Sequence, residues 1–290
     1  MKNLDYKYEK TCSCNPKYLS CITPKEWMKS QIGVWTFNYE SRDIRDKKLH
    51  PATFPISLAV KVISLFSHEG ELVLDPFSGS GTTLLAAKDL NRNAIGFDIN
   101  PHYCELAESR VSQLTMELAE QFVVNDDARS ISDYISPKTV KLVITSPPYA
   151  NILNRKRKNK SRRGDKRKNE QYDKIEQYSQ NENDLGTLST EQYEKEIETI
   201  FKGIKPLMTD KGHVIINITD AWIDGHRSPL HINIINAMQK AGYEFRNTII
   251  WDRRNIVNQI GIFGWPSSYI TMGTTFEYIL DFIPQKETGD

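Results

Sequence analysis

From Leu72 to Ile144 the chain alternates short apolar runs with longer stretches of helical spacing, and this alternation constrains its fold most. Leu72-Val-Leu74 reads as a buried strand, Thr83 to Leu90 as a helix, and Ala94-Ile-Gly-Phe97 as a second strand. His102 to Leu118 reads as a long helix, Phe122-Val-Val124 as a third strand, and Val140 to Ile144 as a fourth. Repetition of this kind predicts an α/β fold with a mostly parallel sheet and helices on both faces. Such sheets bind ligands beyond the C-terminal ends of their strands, and Asp75, Asp98, Asp127 and Ser146 all fall there.

Outside that stretch, Pro51 to Pro55 breaks the chain before a helix expected over Ile56 to Phe66. Later elements are expected at Glu191–Lys205 (helix), Val214–Ile218 (strand), Leu230–Ala241 (helix), Tyr243–Trp251 (strand) and Glu277–Ile283 (strand). Residues 151–188 are polar and lack an apolar face, so they read as an insertion that is loosely ordered without its ligand. The expected organisation is an extension over 1–26, a first part of the domain over 27–150, the insertion, and the remainder over 189–290.

Charge is unevenly spread. Between Asn151 and Glu170 ten Lys or Arg residues face only Asp165 and Glu170, a local net of +8. The chain as a whole carries +1, which leaves the other 270 residues at −7. A block this basic in an otherwise acidic chain implies a negatively charged partner. No run of 18 apolar residues suggests a membrane span, and the N-terminus lacks a signal-peptide core, so a cytoplasmic location is expected. Cys12, Cys14 and Cys21 cluster near the start, with Cys104 far along the chain. No histidine lies among the three to complete a zinc set, so free reduced thiols and no metal are expected.

Two turns carry the chemistry. In Asp75-Pro-Phe-Ser-Gly-Ser-Gly-Thr-Thr83 the glycines admit a ligand close to the backbone. The dinucleotide pattern G-x-G-x-x-G fails, because Leu84 stands where its third glycine belongs. The phosphate-loop pattern fails too, since no Gly-Lys-Ser/Thr follows. The second turn, Thr145-Ser-Pro-Pro-Tyr149, gathers a hydroxyl, a carbonyl and an aromatic ring on a stiff diproline.

Together these turns resemble the DNA amino-methyltransferases, which move a methyl group from S-adenosylmethionine to an exocyclic base nitrogen. The resemblance spans about Trp27 to Ile283 apart from the insertion, and it implies a Rossmann-like class I methyltransferase fold with a small target-recognition region. The family motif D-P-F-x-G-S-G-T matches Asp75 to Thr82, which implies that Asp75, Pro76, Phe77, Gly79, Ser80, Gly81 and Thr82 cradle the cofactor. His50-Pro-Ala-Thr-Phe-Pro55 matches a preceding cofactor element and brings in Phe54. Asp98 then takes the place of the ribose-binding acid, and Asp127 rather than Asp126 that of the group meeting the adenine amine.

The family's catalytic signature falls on Ser146, Pro147, Pro148 and Tyr149. An exocyclic amine is a poor nucleophile because its lone pair is delocalised into the ring. Two acceptors, the Ser146 hydroxyl and the Pro147 carbonyl, would favour tetrahedral character and aim that lone pair. Tyr149 would stack on a base rotated out of the duplex. No cysteine accompanies the turn, which argues against carbon-5 methylation through a covalent adduct.

Serine at the first position favours cytosine-N4 over adenine-N6 chemistry. The resemblance also implies double-stranded DNA as partner and a restriction-modification or phage setting, with a cognate endonuclease encoded elsewhere. Target readers must follow Tyr149. The insertion supplies Arg155, Lys156, Arg157, Lys158, Arg162 and Arg163 as DNA contacts, and the segment 251–276 supplies Arg253 and Arg254. Two other readings stay open. An RNA base methyltransferase would carry an RNA-binding module, and none is recognisable. A DNA-binding protein without activity would tolerate decayed motifs, yet both turns stand intact.

Overall fold

A computed structural model describes residues 9–15, 17–41, 43, 54–112, 119–149, 184–223, 226–256, 264–265, 269–270 and 273–286. The run Arg155–Lys168 and residues 50–53 lie outside them.

Eight strands form one sheet. In chain order they are β1 (Val34–Thr36), β2 (Leu72–Asp75), β3 (Asn93–Asp98), β4 (Gln121–Asn125), β5 (Val140–Thr145), β6 (Met208–Ile218), β9 (Tyr243–Asp252) and β12 (Phe276–Pro284). Two ribbons, β7 (Ala221–Ile223) with β8 (His226–Ser228) and β10 (Gly264–Trp265) with β11 (Tyr269–Ile270), stand apart from it. The spatial order is β1-β9-β12-β6-β5-β2-β3-β4. All neighbours run parallel except β12, which is antiparallel to both β9 and β6. The chain moves outward from β2 through β3 to β4, then returns to β5 on the other side of β2. That reversal opens a crevice beyond the ends of β2 and β5.

Alternation along each strand feeds two cores. Leu72 and Leu74 of β2 and Val214 and Ile216 of β6 face one side. There they meet α5 (Thr190–Ile204) through Tyr193, Ile197, Ile200, Phe201 and Ile204, and α6 (Leu230–Lys240) through Leu230, Ile234, Ala237 and Met238. Val73, Leu142 and Ile215 face the other side, against α2 (Ile56–Phe66) and α3 (Thr82–Asp89). Each fully buried Leu or Ile contributes about 1.5–3 kcal/mol relative to an exposed one. Seven of the eleven residues of α2 are buried, packed against the sheet and against Trp27, Trp35 and Phe37 of the N-terminal segment.

Helix ends follow local chemistry. Pro55 gives α2 no side-chain cap, and the buried Asp43 supplies one from outside, accepting from Ile56 N at 3.0 Å and Glu40 N at 2.8 Å. Ser189 and Gln192 form a capping box that starts α5. Asn100 caps α4 (Pro101–Val111), with Pro101 in the first turn.

Several expectations need correction. Of the helix expected over His102 to Leu118, the turns up to Val111 are present with Ser112 as cap, and residues 113–118 lie outside the described residues. The strand expected from Val214 begins at Met208 and borders β5. Within the expected insertion, Asp184, Leu185 and Gly186 are buried around a 3-10 turn over Leu185–Thr187. The extension over 1–26 also contains structure: Thr23 and Glu26 form a capping box that opens α1 (Pro24–Ser30). The cysteine cluster does meet a histidine. His68, in the loop between α2 and β2, reaches Cys12, Cys14 and Cys21, since folding joins what the sequence separates.

Candidate active site

The crevice at the sheet's C-terminal edge widens into a cavity of about 300 Å³. One wall comes from the β2 turn. Asp75 is 2% exposed, and hydroxyls bind both its oxygens: Thr145 donates to Oδ1 and Thr83 to Oδ2, each at 2.6 Å. Phe77 N adds a bond at 3.1 Å. Burial pushes the Asp75 carboxyl up to about 6, and these three donors oppose the shift. Asp75 therefore ties β2 to β5 and α3, and fixes where the second turn leaves the sheet.

The turn after β2 is seated tightly on β3. Ser78 N donates to Phe97 O at 2.8 Å, and a Cβ on Gly96 would lie 2.7 Å from Ser78 Cβ. Gly79 and Gly81 both have positive φ, +49° and +78°, which the sharp entry into α3 requires. Gly79 N then donates to Asp98 Oδ2 at 2.9 Å, and Asn100 N to Oδ1 at 2.8 Å. Each Asp98 oxygen keeps a lone pair for a further donor. Burial raises this carboxyl to about 6 as well, against the pull of the two amides.

Asp127 begins a 3-10 turn over Ala128–Asp133 and accepts from Arg129 N at 2.9 Å. Its carboxylate also holds the Arg129 side chain, at 2.8 Å from Nε and 2.7 Å from an outer guanidinium nitrogen. Asp126, next to it, accepts from the Tyr134 hydroxyl at 2.6 Å, and both acids line the cavity.

Ser146, Pro147, Pro148 and Tyr149 line the same cavity, with Phe54, Pro76, Phe77 and Thr82. Ser80 and Gly81 do not. Ser80 Oγ accepts from Arg110 at 3.1 Å, and Gly81 begins α3.

Of the opposite wall the sequence reading singled out only Arg253, in the segment 251–276. Asn217 of β6, Trp251 of β9, Glu277 of β12 and Tyr39 after β1 converge there. The buried Glu277 accepts from Asn217 Nδ2 at 2.6 Å and pairs with Arg253, whose guanidinium lies 5.0 Å from the Trp251 ring centre. Glu277 fixes the Asn217 amide, because a carboxylate only accepts. Asn217 Oδ1 is thereby left buried with no partner among the described residues. Arg253 and Arg254, adjacent in sequence, separate in space: Arg253 is built into the cavity wall, whereas Arg254 is exposed and bound to Asp252 at 2.7 Å. Antiparallel β12 explains why no local motif marks this wall, since its first residues reach the edge where its neighbours end.

The sequence profile of the N6/N4 DNA methylase family matches residues 2–109 and 140–288, nearly the whole chain. The chain belongs to the DNA methylase family. Among curated relatives the chain is similar to the Type II methyltransferase M.HpaI of Haemophilus parainfluenzae, 44% identical over 78 residues. That stretch covers 27% of this chain and 25% of the relative. It is also similar to the Type II methyltransferase M.MthZI of Methanothermobacter thermautotrophicus, 37% identical over 105 residues, covering 35% of this chain and 28% of the relative. The matched stretches thus span about a quarter of each relative's length. The crystal structure of TrmN from Thermus thermophilus shares the fold of this chain, with a TM-score of 0.52 at 15% identity, over 84% of this chain and 53% of that one.

Proposed function

We propose that this chain transfers a methyl group from S-adenosylmethionine to the exocyclic amine of a base in double-stranded DNA, with cytosine-N4 favoured. One observation carries the reading: the Ser146–Tyr149 turn and the free acceptor capacity of Asp98 face one cavity, joined through Asp75.

The residues present fit the cofactor. Asp98 has acceptor sites left for two vicinal hydroxyls, and the glycine turn leaves room for a ligand against the backbone. When bound, S-adenosylmethionine supplies an electrophilic methyl group on a sulfonium. Asp98 holds the ribose, Asp127 is the acceptor offered to the adenine amine, and Phe54 and Phe77 supply apolar contact. Ser146 and the Pro147 carbonyl accept from the target amine and turn its lone pair toward the methyl group, while Tyr149 stacks on the extruded base. Asn217 Oδ1, on the strand beside Ser146, offers a further acceptor to the base edge.

The +8 run over 151–170 supports contact with the phosphate backbone through Arg155, Lys156, Arg157, Lys158, Arg162 and Arg163. Arg254 is exposed, paired with Asp252, and suits the same role. The names of the curated relatives, both Type II methyltransferases, support a restriction-modification setting, and a cognate endonuclease and a cytoplasmic location belong to the same proposal. No helix among the described residues is long and apolar enough to cross a membrane.

Ser146→Ala tests the reading. Loss of a positioned acceptor should lower the rate of labelled-methyl transfer to duplex DNA about a hundredfold. Cofactor affinity by calorimetry should stay unchanged. Full transfer in this variant would remove Ser146 from the chemistry.

A further inference from the structure

Far from the cavity, the N-terminal segment is pinned to the loop between α2 and β2. Thr11 N donates to Glu69 O at 2.8 Å, and a Cβ on Gly70 would lie only 2.4 Å from Glu9 O. At this seam Cys12, Cys14, Cys21 and His68 bring one ligand atom each to within 4.8 Å of one another.

We propose that these four residues bind one zinc ion, a structural site that staples the N-terminal segment to the sheet. A tetrahedral zinc at about 2.3 Å from sulfur and about 2.0–2.1 Å from nitrogen places sulfur and nitrogen about 3.6 Å apart, and two sulfurs about 3.8 Å apart. His68 Nδ1 lies 3.5 Å from Cys12 Sγ and 3.6 Å from Cys21 Sγ, and the two sulfurs are 3.4 Å apart. The last distance lies far beyond the roughly 2.05 Å of a disulfide.

The imidazole is already set for a metal. Its Nε2 lies 3.0 Å from the Tyr18 carbonyl, and a carbonyl only accepts, so Nε2 carries the proton. Nδ1 therefore presents its lone pair to the three sulfurs, the orientation that an outer hydrogen bond gives a ligating histidine. His68 is itself 2% exposed, and its backbone N–H is held by Glu71 at 2.7 Å, so the ring has little freedom to turn away. Three thiolates and a neutral imidazole are a closed donor set with no position left for substrate, which marks the site as structural rather than catalytic.

The test is the metal content of the full chain, purified without chelator and kept reduced. About one zinc per chain is expected, falling to under about a tenth in Cys14→Ser and in His68→Ala, while Cys104→Ser keeps its zinc. Because the ligand variants risk misfolding, the wild-type chain is also stripped and refilled with cobalt(II). Strong visible bands of a tetrahedral ion with thiolate-to-metal charge transfer are expected. A wild-type chain that holds no stoichiometric zinc, or takes up cobalt only as a weakly absorbing octahedral ion, would overturn the proposal. So would a Cys12–Cys21 disulfide in the reduced preparation. None of these readouts depends on methyl transfer, so the site stands or falls apart from the proposed reaction.

Discussion

In the proposed function Asp98 is one carboxylate that serves both the fold and a ligand. Its two oxygens hold the backbone of the β2 turn and of the α4 entry, and only the remaining lone pairs face the cavity. Burial lifts its carboxyl from 3.8 to about 6, and Asp75 behaves alike. Both folded values lie above the unfolded one, so between 3.8 and about 6 the native chain binds more protons than the unfolded chain. Stability contributed by the protonated acids is present below 3.8 and is lost as pH rises to about 6.

Cofactor binding should run the other way, because protonated Asp98 gives up an acceptor site. Calorimetric affinity for S-adenosylmethionine should therefore weaken as pH falls below about 6. Asp98→Asn should bind about tenfold to a hundredfold more weakly at pH 8. An unchanged affinity in that variant would take the ribose away from Asp98.

At the scale of elements, the strand-to-helix entry at Gly81 limits what the cofactor turn can tolerate. Its φ is +78°, and a Cβ there would lie 2.8 Å from Ala107 Cβ on α4. Gly81→Ala should cost about 1–3 kcal/mol in urea unfolding. Gly203→Ala, in α5 where a Cβ meets nothing within 4 Å, should instead stabilise the chain by about 0.5–1 kcal/mol. Equal effects at the two sites would show that the turn is not strained.

The central strands were legible in the sequence because burial on both faces makes each a short apolar run, as in Leu72-Val-Leu74 and Leu142-Val-Ile144. β1 was not. Only Trp35 of its three residues is buried, and its pairing with β9 joins Val34 to Ile250 across most of the chain. The thiol cluster failed for the same reason, since His68 lies 47 residues beyond Cys21, past α1, β1 and α2.

Across the whole molecule the site divides into two walls of unequal legibility. The proposed cofactor wall is built mostly from two short turns, Asp75 to Thr83 and Thr145 to Tyr149, so its motifs survive in the linear sequence. The facing wall of Tyr39, Asn217, Trp251, Arg253 and Glu277 is assembled from separate strands, one of them reversed, and exists only in the folded chain. What the two walls enclose is read most directly by one measurement. The chain is incubated with S-adenosylmethionine and mixed-sequence duplex DNA, the DNA is digested, and the nucleosides are identified by mass spectrometry. The account predicts N4-methylcytosine. N6-methyladenine would keep the turn's chemistry and contradict the choice of base, and DNA left unmethylated by a chain that binds the cofactor would contradict the central claim.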